Sequence, residues 1–499
     1  MNQLKVNLWG REIGRLIWNE TARRTYFMYN PEIIESLPDL APLISPASKR
    51  DAMIPVYGDE RPLYQRLPPF IADSLPDSWG NTLFDKWVRD NKIPRNKLTP
   101  LYKLMFIGKR AIGALDYEPC TEELNGSRSI DIKSLYNLST KILEQREPLT
   151  VAPDEAMTMQ SLLAVGTSAG GRQMKAIVAI NSKTGEIRSG QADGLPDHDY
   201  CIIKFGDKSM PIAEIDYVYY LMVINAGIEM EDSRLISVDG INHFITRRYD
   251  RNKGRKVHAQ SLAAINPDAT SYEDLITTCR LIDLTEKDIA QVFTRMVFNI
   301  MANNTDDHNK NFSFLLGEEG KWRLAPAYDM TFIFDRSGLA PNRQHRLSLQ
   351  GKTYGFTKAD LINFANENGI NRPESIINQV AQSIRQFNEL AMKTGIGQPY
   401  RRIINKTISK TLVDFGFDKP TEEFTPIKDG QGRTISSFSV IVNSKGHYVV
   451  EATIDGNEYK KYIRAINPLH KKLAACEIDN LSNADIVLLV ESILPPANL

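Results

Sequence analysis

The 499-residue sequence predicts an α+β fold in two lobes, with a small domain ahead of them and a further α+β module behind. Three observations predict it: a strand-rich stretch over 160–262, a helix-periodic stretch from 271 onward, and a return to strand alternation after Phe415. A strand-rich lobe followed by a helix-rich one implies a cleft between them.

Residues 1–30 alternate as strands do, through Leu4, Val6 and Leu8 and then Thr25, Phe27 and Tyr29, with Gly10 and Gly14 supplying turns. Trp79, Leu83, Phe84 and Trp87 follow at helical spacing. The stretch LYKLMFIGKRAIGALDYEP then reads as a helix running into a strand hinged at Gly108 and Gly113. These elements make 1–120 a small α+β domain, and the polar run 122–129 a linker.

Region 130–262 is the strand-rich lobe, with strands at 176–180, 200–205, 233–238 and 243–249. Its one expected helix, 215–226, is apolar enough to be largely buried and is closed by Gly227. In the helical lobe, 263–415, Ile289, Val292, Phe293, Met296, Val297 and Ile300 mark one apolar helix face. Region 416–499 predicts three antiparallel strands turning at Ser444-Lys445-Gly446 and Asp455-Gly456, then an amphipathic helix near 483–494.

Composition narrows the class without naming a reaction. Basic and acidic side chains number 61 each, so no whole-surface attraction to nucleic acid or acidic membranes is expected. Cys120, Cys201, Cys279 and Cys476 lie far apart with no CxxC spacing, the usage of reduced thiols in a cytoplasmic protein. The opening MNQLKVNLWGREIG has no apolar signal core, and no apolar run reaches membrane-spanning length.

Three clusters carry candidate chemistry. The first is the stretch Gly166 to Lys175 (GTSAGGRQMK), where glycines would let backbone N–H groups approach phosphate oxygens. It matches neither the Walker pattern nor GxGxxG, and taken alone a glycine-rich hairpin without a ligand is the better explanation. The second is Lys204 in the apolar strand YCIIKF, whose ammonium needs an anion if it is buried. Asp216 on the following helix is the candidate orienting acid, with Glu214 in reserve; a solvent-reaching edge lysine is the plainer alternative.

The third cluster is the strongest. In Thr305-Asp306-Asp307-His308-Asn309-Lys310-Asn311, Asp306 and Asn311 are five positions apart, the spacing of base and metal-binding asparagine in a kinase catalytic loop. The aspartate would accept a hydroxyl proton while the asparagine holds Mg2+ beside the transferring phosphoryl group. Eighteen residues beyond Asn311, Asp329 in LAPAYD supplies a second candidate Mg2+ ligand. A lone DDHNKN is more often a turn, but glycine loop, strand lysine, helix acid, loop base and later aspartate occur here in the kinase order.

Taken with GTSAGGRQMKA, IIKF, ITRRYDR, HAQSLAAI, TDDHNKNFSF, LAPAYDM and the N-terminal DSLPDSWG, these residues resemble the HipA family, kinase toxins of bacterial toxin–antitoxin pairs. The resemblance covers roughly 1–410. It implies a two-lobed protein-kinase-like fold and a serine/threonine protein kinase using ATP and Mg2+, with Asp306 as proton acceptor and Asn311 and Asp329 as metal ligands. It further implies that Gly170, Gly171, Arg172, Gln173, Met174 and Lys175 cover the ATP phosphates and that Lys204 contacts them. Arg247, Arg248 and Tyr249 would form the adenine hinge, with His308 and Tyr328 beside the nucleotide. Ser168, with Thr167 next to it, falls on the loop serine that such kinases autophosphorylate.

Three positions depart from the family pattern: Arg247 stands where an acid is common, the loop reads Gly-Arg-Gln-Met-Lys, and Asp216 replaces a glutamate. The resemblance also implies a separately encoded helix-turn-helix antitoxin, HipB-like, through which any DNA would be reached, and a protein substrate, aminoacyl-tRNA synthetases being among the family's targets. Two other readings stay open on the residues: a nucleotide-binding pseudokinase, and a small-molecule kinase.

Overall fold

This computed structural model describes residues 2–121, 129–144, 156–166, 173–190, 194–195, 197–418, 427–442, 448–463, 473 and 481–494. The mixed helix-and-sheet architecture expected from the sequence is what the chain adopts. It divides into two compact units, Met1–Ile396 and Gly397–Leu499. The helix Gln398–Asp414 therefore groups with the second unit, whereas the sequence reading ran the helical lobe to 415.

The opening residues build a five-stranded antiparallel sheet in the order Val56–Tyr57, Arg24–Tyr29, Arg11–Asn19, Gln3–Leu8, Leu115–Glu118. Strand alternation buries Leu4, Val6, Leu16 and Phe27 on its core side. The helix Ser78–Asp90 starts at Asp77, whose Oδ1 accepts the Gly80 N–H at 2.6 Å. Trp79, Leu83, Phe84 and Trp87 on this helix share one apolar cluster with Val178, Ile203 and Phe205 of the following lobe. The first domain is thus packed into the wall of the second.

That lobe is a five-stranded antiparallel sheet ordered Ile187–Ser189, Lys175–Asn181, His198–Lys204, Ile241–Arg247, Ser233–Val238. The expected strands are present, and the expected helix is Ile212–Asn225. Two further helices, Ile132–Glu144 and Ala156–Val165, were not anticipated. Their buried Ile132, Leu135, Leu138 and Leu162 join the same apolar cluster, so packing against the sheet fixes them where local pattern is short.

In the helical region, Glu286–Met301 opens with a capping box between Thr285 and Asp288 and buries the predicted apolar face. The segment 302–312 follows it and leads into the strand Ser313–Leu316, centre of a three-stranded sheet with His258–Ser261 and Trp322–Leu324. A helix end and the central strand of that sheet therefore fix both ends of the DDHNKN segment.

The second unit contains a four-stranded antiparallel sheet, Ile427–Lys428, Thr434–Val442, Tyr448–Ile454, Asn457–Ile463, one short strand more than expected. Asp455 and Gly456 take positive φ at the predicted turn, whereas Ser444 to Gly446 lie outside the described residues. The helix Asn483–Ile493 packs Ile486, Leu489 and Val490 onto this sheet. Cys201 and Cys279 are buried free thiols, Cys120 is half-buried, and Cys476 lies outside the described residues. Among the described residues no helix is long and apolar enough to cross a membrane.

Candidate active site

A cavity of about 410 Å3 collects residues from all three regions of the first unit: Asp73 and Asp77 of the first domain line it with Lys175, Lys204, Asp216, Asp306, Asn311 and Asp329. Lys175 and Lys204 are directly opposed on neighbouring antiparallel strands, so their side chains share one face of the sheet. Two ammonium groups placed so closely repel and each requires a counter-ion. Lys204 has two: its Nζ is 2.6 Å from Asp329 and 3.4 Å from Asp216. Lys175 has Asp77, at 3.3 Å.

Burial alone would favour a neutral Lys204, but Asp216 and Asp329 outweigh it and hold the ammonium charged, above the ordinary lysine range. Of its two carboxylates, Asp216 is fully enclosed, and burial pushes its carboxyl up. Burial opposes ionisation of Asp329 as well, yet Lys204 and Lys175 hold that carboxyl below the usual range. Asp329 is thus the readily ionised acid of the cluster. It sits at φ 52, a left-handed conformation that a non-glycine residue adopts at a cost of about 1–3 kcal/mol.

The adjacent aspartates of the catalytic-loop candidate have separate fates. Asp307 is buried and its carboxylate is saturated: it accepts from the Tyr272 hydroxyl at 2.5 Å and the Arg346 N–H at 2.8 Å, and lies 2.8 Å from His345 Nδ1. Asp306 keeps its side chain 46% exposed, loosely approached by Arg346 at 3.6 Å and His308 at 3.9 Å. Asp306 alone can meet an incoming group. Asn311 donates its Nδ2 to the Asp306 carbonyl at 2.8 Å, which leaves its Oδ1 free of that bond and the loop closed on itself. Tyr328 donates to the Lys310 carbonyl at 2.6 Å and lies 2.6 Å from the Ser313 hydroxyl, tying the segment before Asp329 to the loop.

Arg247, Arg248, Tyr249, His308, Gln173 and Tyr328 also line the cavity. The side chains of Arg247 and Arg248 are committed elsewhere: Arg247 pairs with Asp232 and Glu231, and Arg248 is buried against Asp250. Gln173 donates to the Phe205 carbonyl at 3.0 Å. Met174 turns the other way and packs on the apolar cluster of the lobe. Thr167, Ser168, Gly170, Gly171 and Arg172 lie outside the described residues.

Sequence reasoning missed further lining residues, among them Asp73, Asp77, Gln260 and Ser261. Asp73 accepts both the N–H and the hydroxyl of Ser261 at 2.7 Å, joining the first domain to the start of the helical lobe. Gln260 Oε1 and neighbouring His258 Nδ1 are buried with no hydrogen-bond partner among the described residues. A buried acceptor and a buried ring N–H left in this way cost free energy unless a ligand or water meets them.

The donor set suits a magnesium–nucleotide complex. Magnesium takes one or two carboxylate or amide oxygens and completes its shell with phosphates and water, and Asn311 and Asp329 provide that number. The described residues hold no group of three His, Cys, Asp or Glu side chains that would make an all-protein metal cage.

Comparison with known proteins agrees with this geometry. The family model described as the HipA N-terminal domain matches residues 4–118, and that described as the HipA-like C-terminal domain matches 167–387, together more than half of the chain. A Haemophilus influenzae protein named "Putative kinase" is 22% identical over 266 residues, covering 45% of this chain and 77% of the relative. A Sinorhizobium fredii protein, "Putative kinase Y4dM", is 21% identical over 347 residues, covering 66% and 76%. Among solved structures, the Shewanella oneidensis MR-1 HipA, in complex with HipB and its operator DNA, superposes with a TM-score of 0.57 at 15% identity. That match covers 82% of this chain and 96% of the other, and shows the fold to be shared.

Proposed function

The chain belongs to the HipA family, and from that premise we propose that it is a serine/threonine protein kinase using Mg2+–ATP, the toxin of a toxin–antitoxin pair. One observation carries the reading: Lys204 is bracketed by Asp216 and Asp329 in the cavity onto which Asp306 and Asn311 open. A lysine kept charged by two acids is suited to α- and β-phosphates, as in other kinases. Asp306, exposed and unsaturated, takes the proton of the acceptor hydroxyl as general base. Asn311 and Asp329 would hold Mg2+, which supplies charge neutralisation on the phosphate oxygens when bound.

The segment Gln173 to Lys175 closes over the phosphates, with Lys175 making the contact, and the backbone of Arg247 to Tyr249 takes the adenine. Ser168 is the proposed site of autophosphorylation; added charge in a phosphate-facing turn would repel the nucleotide. The Shewanella relative is bound by HipB with operator DNA, and we extend this arrangement here: a helix-turn-helix antitoxin contacts the chain and carries any DNA.

The test is incubation with Mg2+ and γ-labelled ATP beside Asp306→Asn and Ser168→Ala, with intact mass measured first and phosphosites mapped afterward. Label on the wild type, absent from Asp306→Asn and reduced in Ser168→Ala, is expected. Unmodified protein that binds ATP yet labels neither itself nor a lysate would overturn transfer and leave a pseudokinase.

A further inference from the structure

The kinase reading leaves the first domain without a part in the chemistry, although Asp77 of that domain lines the cavity. We infer that Asp77 is a positioning residue for the nucleotide-phosphate lysine Lys175, so that the helix Ser78–Asp90 forms part of the ATP site. The inference rests on the kinase reading above. Asp77 divides its two oxygens: Oδ1 caps the helix through the Gly80 N–H, and Oδ2 faces Lys175 Nζ at 3.3 Å with no other hydrogen-bond donor among the described residues. Both side chains are buried, 9% and 3% exposed, and both line the cavity.

Two more contacts fix the same lysine. The Trp79 indole N–H donates to the Lys175 carbonyl at 3.1 Å. At the other end of the glycine-rich stretch, a Cβ on Gly166 would lie 2.5 Å from Leu83 and 3.2 Å from the Trp79 nitrogen. One helix thus grips the first and last residues of the 166–175 segment.

Charge explains why the grip matters. Lys175 and Lys204 are cross-strand neighbours, and Lys204 already occupies Asp216 and Asp329. Without Asp77, the carboxylate nearest in chemistry for Lys175 is Asp329, the acid assigned to the metal. Asp77 keeps Lys175 extended toward the phosphates and spares Asp329 a second ammonium. A lysine has three donors, and the single long contact to Asp77 leaves the others for ligand.

The test uses the full chain and measures ATP dissociation constants by titration calorimetry for wild type, Asp77→Asn, Lys175→Met and the double variant. Asparagine caps helices as well as aspartate, so Asp77→Asn removes charge and spares the helix. Asp77→Ser serves as a second charge-free cap, and melting temperature is followed throughout. Expected is about tenfold weaker ATP binding in Asp77→Asn by a protein that still unfolds cooperatively, with no added loss in the double variant beyond Lys175→Met. ATP binding by Asp77→Asn and Asp77→Ser as tight as wild type, or losses that simply add, would overturn the inference. A wild type that binds no ATP would instead bring down the kinase reading itself.

Discussion

The two compact units bury different chemistry. In Met1–Ile396, Lys175, Asp216, Arg248, Asp250, Arg295 and Asp307 are each 5% exposed or less. In Gly397–Leu499 the core is Ile435, Val450, Ile454, Ile463, Leu489 and Val490, and among the described residues the one buried charge is Asp429, held by Arg433 at 2.6 Å. Replacing buried ion pairs by apolar side chains is often neutral or stabilising. Stability therefore accounts for the second interior and leaves the first unexplained. Of those six charges, Lys175, Asp216, Arg248 and Asp250 line the cavity, whereas Asp307 and Arg295 do not.

Four measurements break or sharpen this contrast. The largest effect falls on Asp306→Asn, expected to slow phosphoryl transfer by about 10²–10⁴-fold with unfolding unchanged, because its side chain is half exposed. A clear drop in stability would turn Asp306 into another structural acid. Its neighbour should behave in the opposite way. Asp307→Ala strands a buried tyrosine and histidine, and urea unfolding followed by tryptophan fluorescence should show a loss of about 3–5 kcal/mol. All five tryptophans lie in the first unit, so that signal reports on it alone.

In the second unit, Ile454→Ala should remove about 2–5 kcal/mol from the sheet, read by hydrogen exchange, and leave the KM for ATP where it was. A shifted KM would end the division of labour drawn above. The smallest effect is graded by pH. Burial depresses the His258 imidazole to about 3, so the unfolded chain takes up a proton near pH 6.5 that the folded one refuses. Stability present above pH 6.5 then drains by about 1.4 kcal/mol per unit as pH falls toward 3. The slope of stability against pH over 6 to 4 should flatten in His258→Gln.

Much of the site was legible because its members sit on short, regular pieces of chain. Lys204, Asp216, Asp306, Asn311 and Asp329 each follow from an element type and a spacing, and the cavity gathers all five. What periodicity could not give was the partner of Lys175, which lies 98 positions earlier at the start of a helix. An aspartate ahead of a helix reads as a cap, and Asp77 is one; its second oxygen has no local signature. Asp306 and Asp307 were ranked by spacing, and burial supplies the physical distinction between them. The helices Ile132–Glu144 and Ala156–Val165 escaped because their apolar faces are completed by tertiary contacts.

The position of Ser78–Asp90 has a thermodynamic corollary. This helix belongs to the region matched by the HipA N-terminal domain, yet its cap and its tryptophan touch the lysine at the end of the glycine-rich stretch. On the proposed reading, a protein that grips the first domain and shifts this helix would change the free energy of ATP binding without approaching the cleft. Linkage is reciprocal, so ATP must alter the grip of that protein by the same factor. Occupancy of the cleft and occupancy of the first domain become one coupled equilibrium.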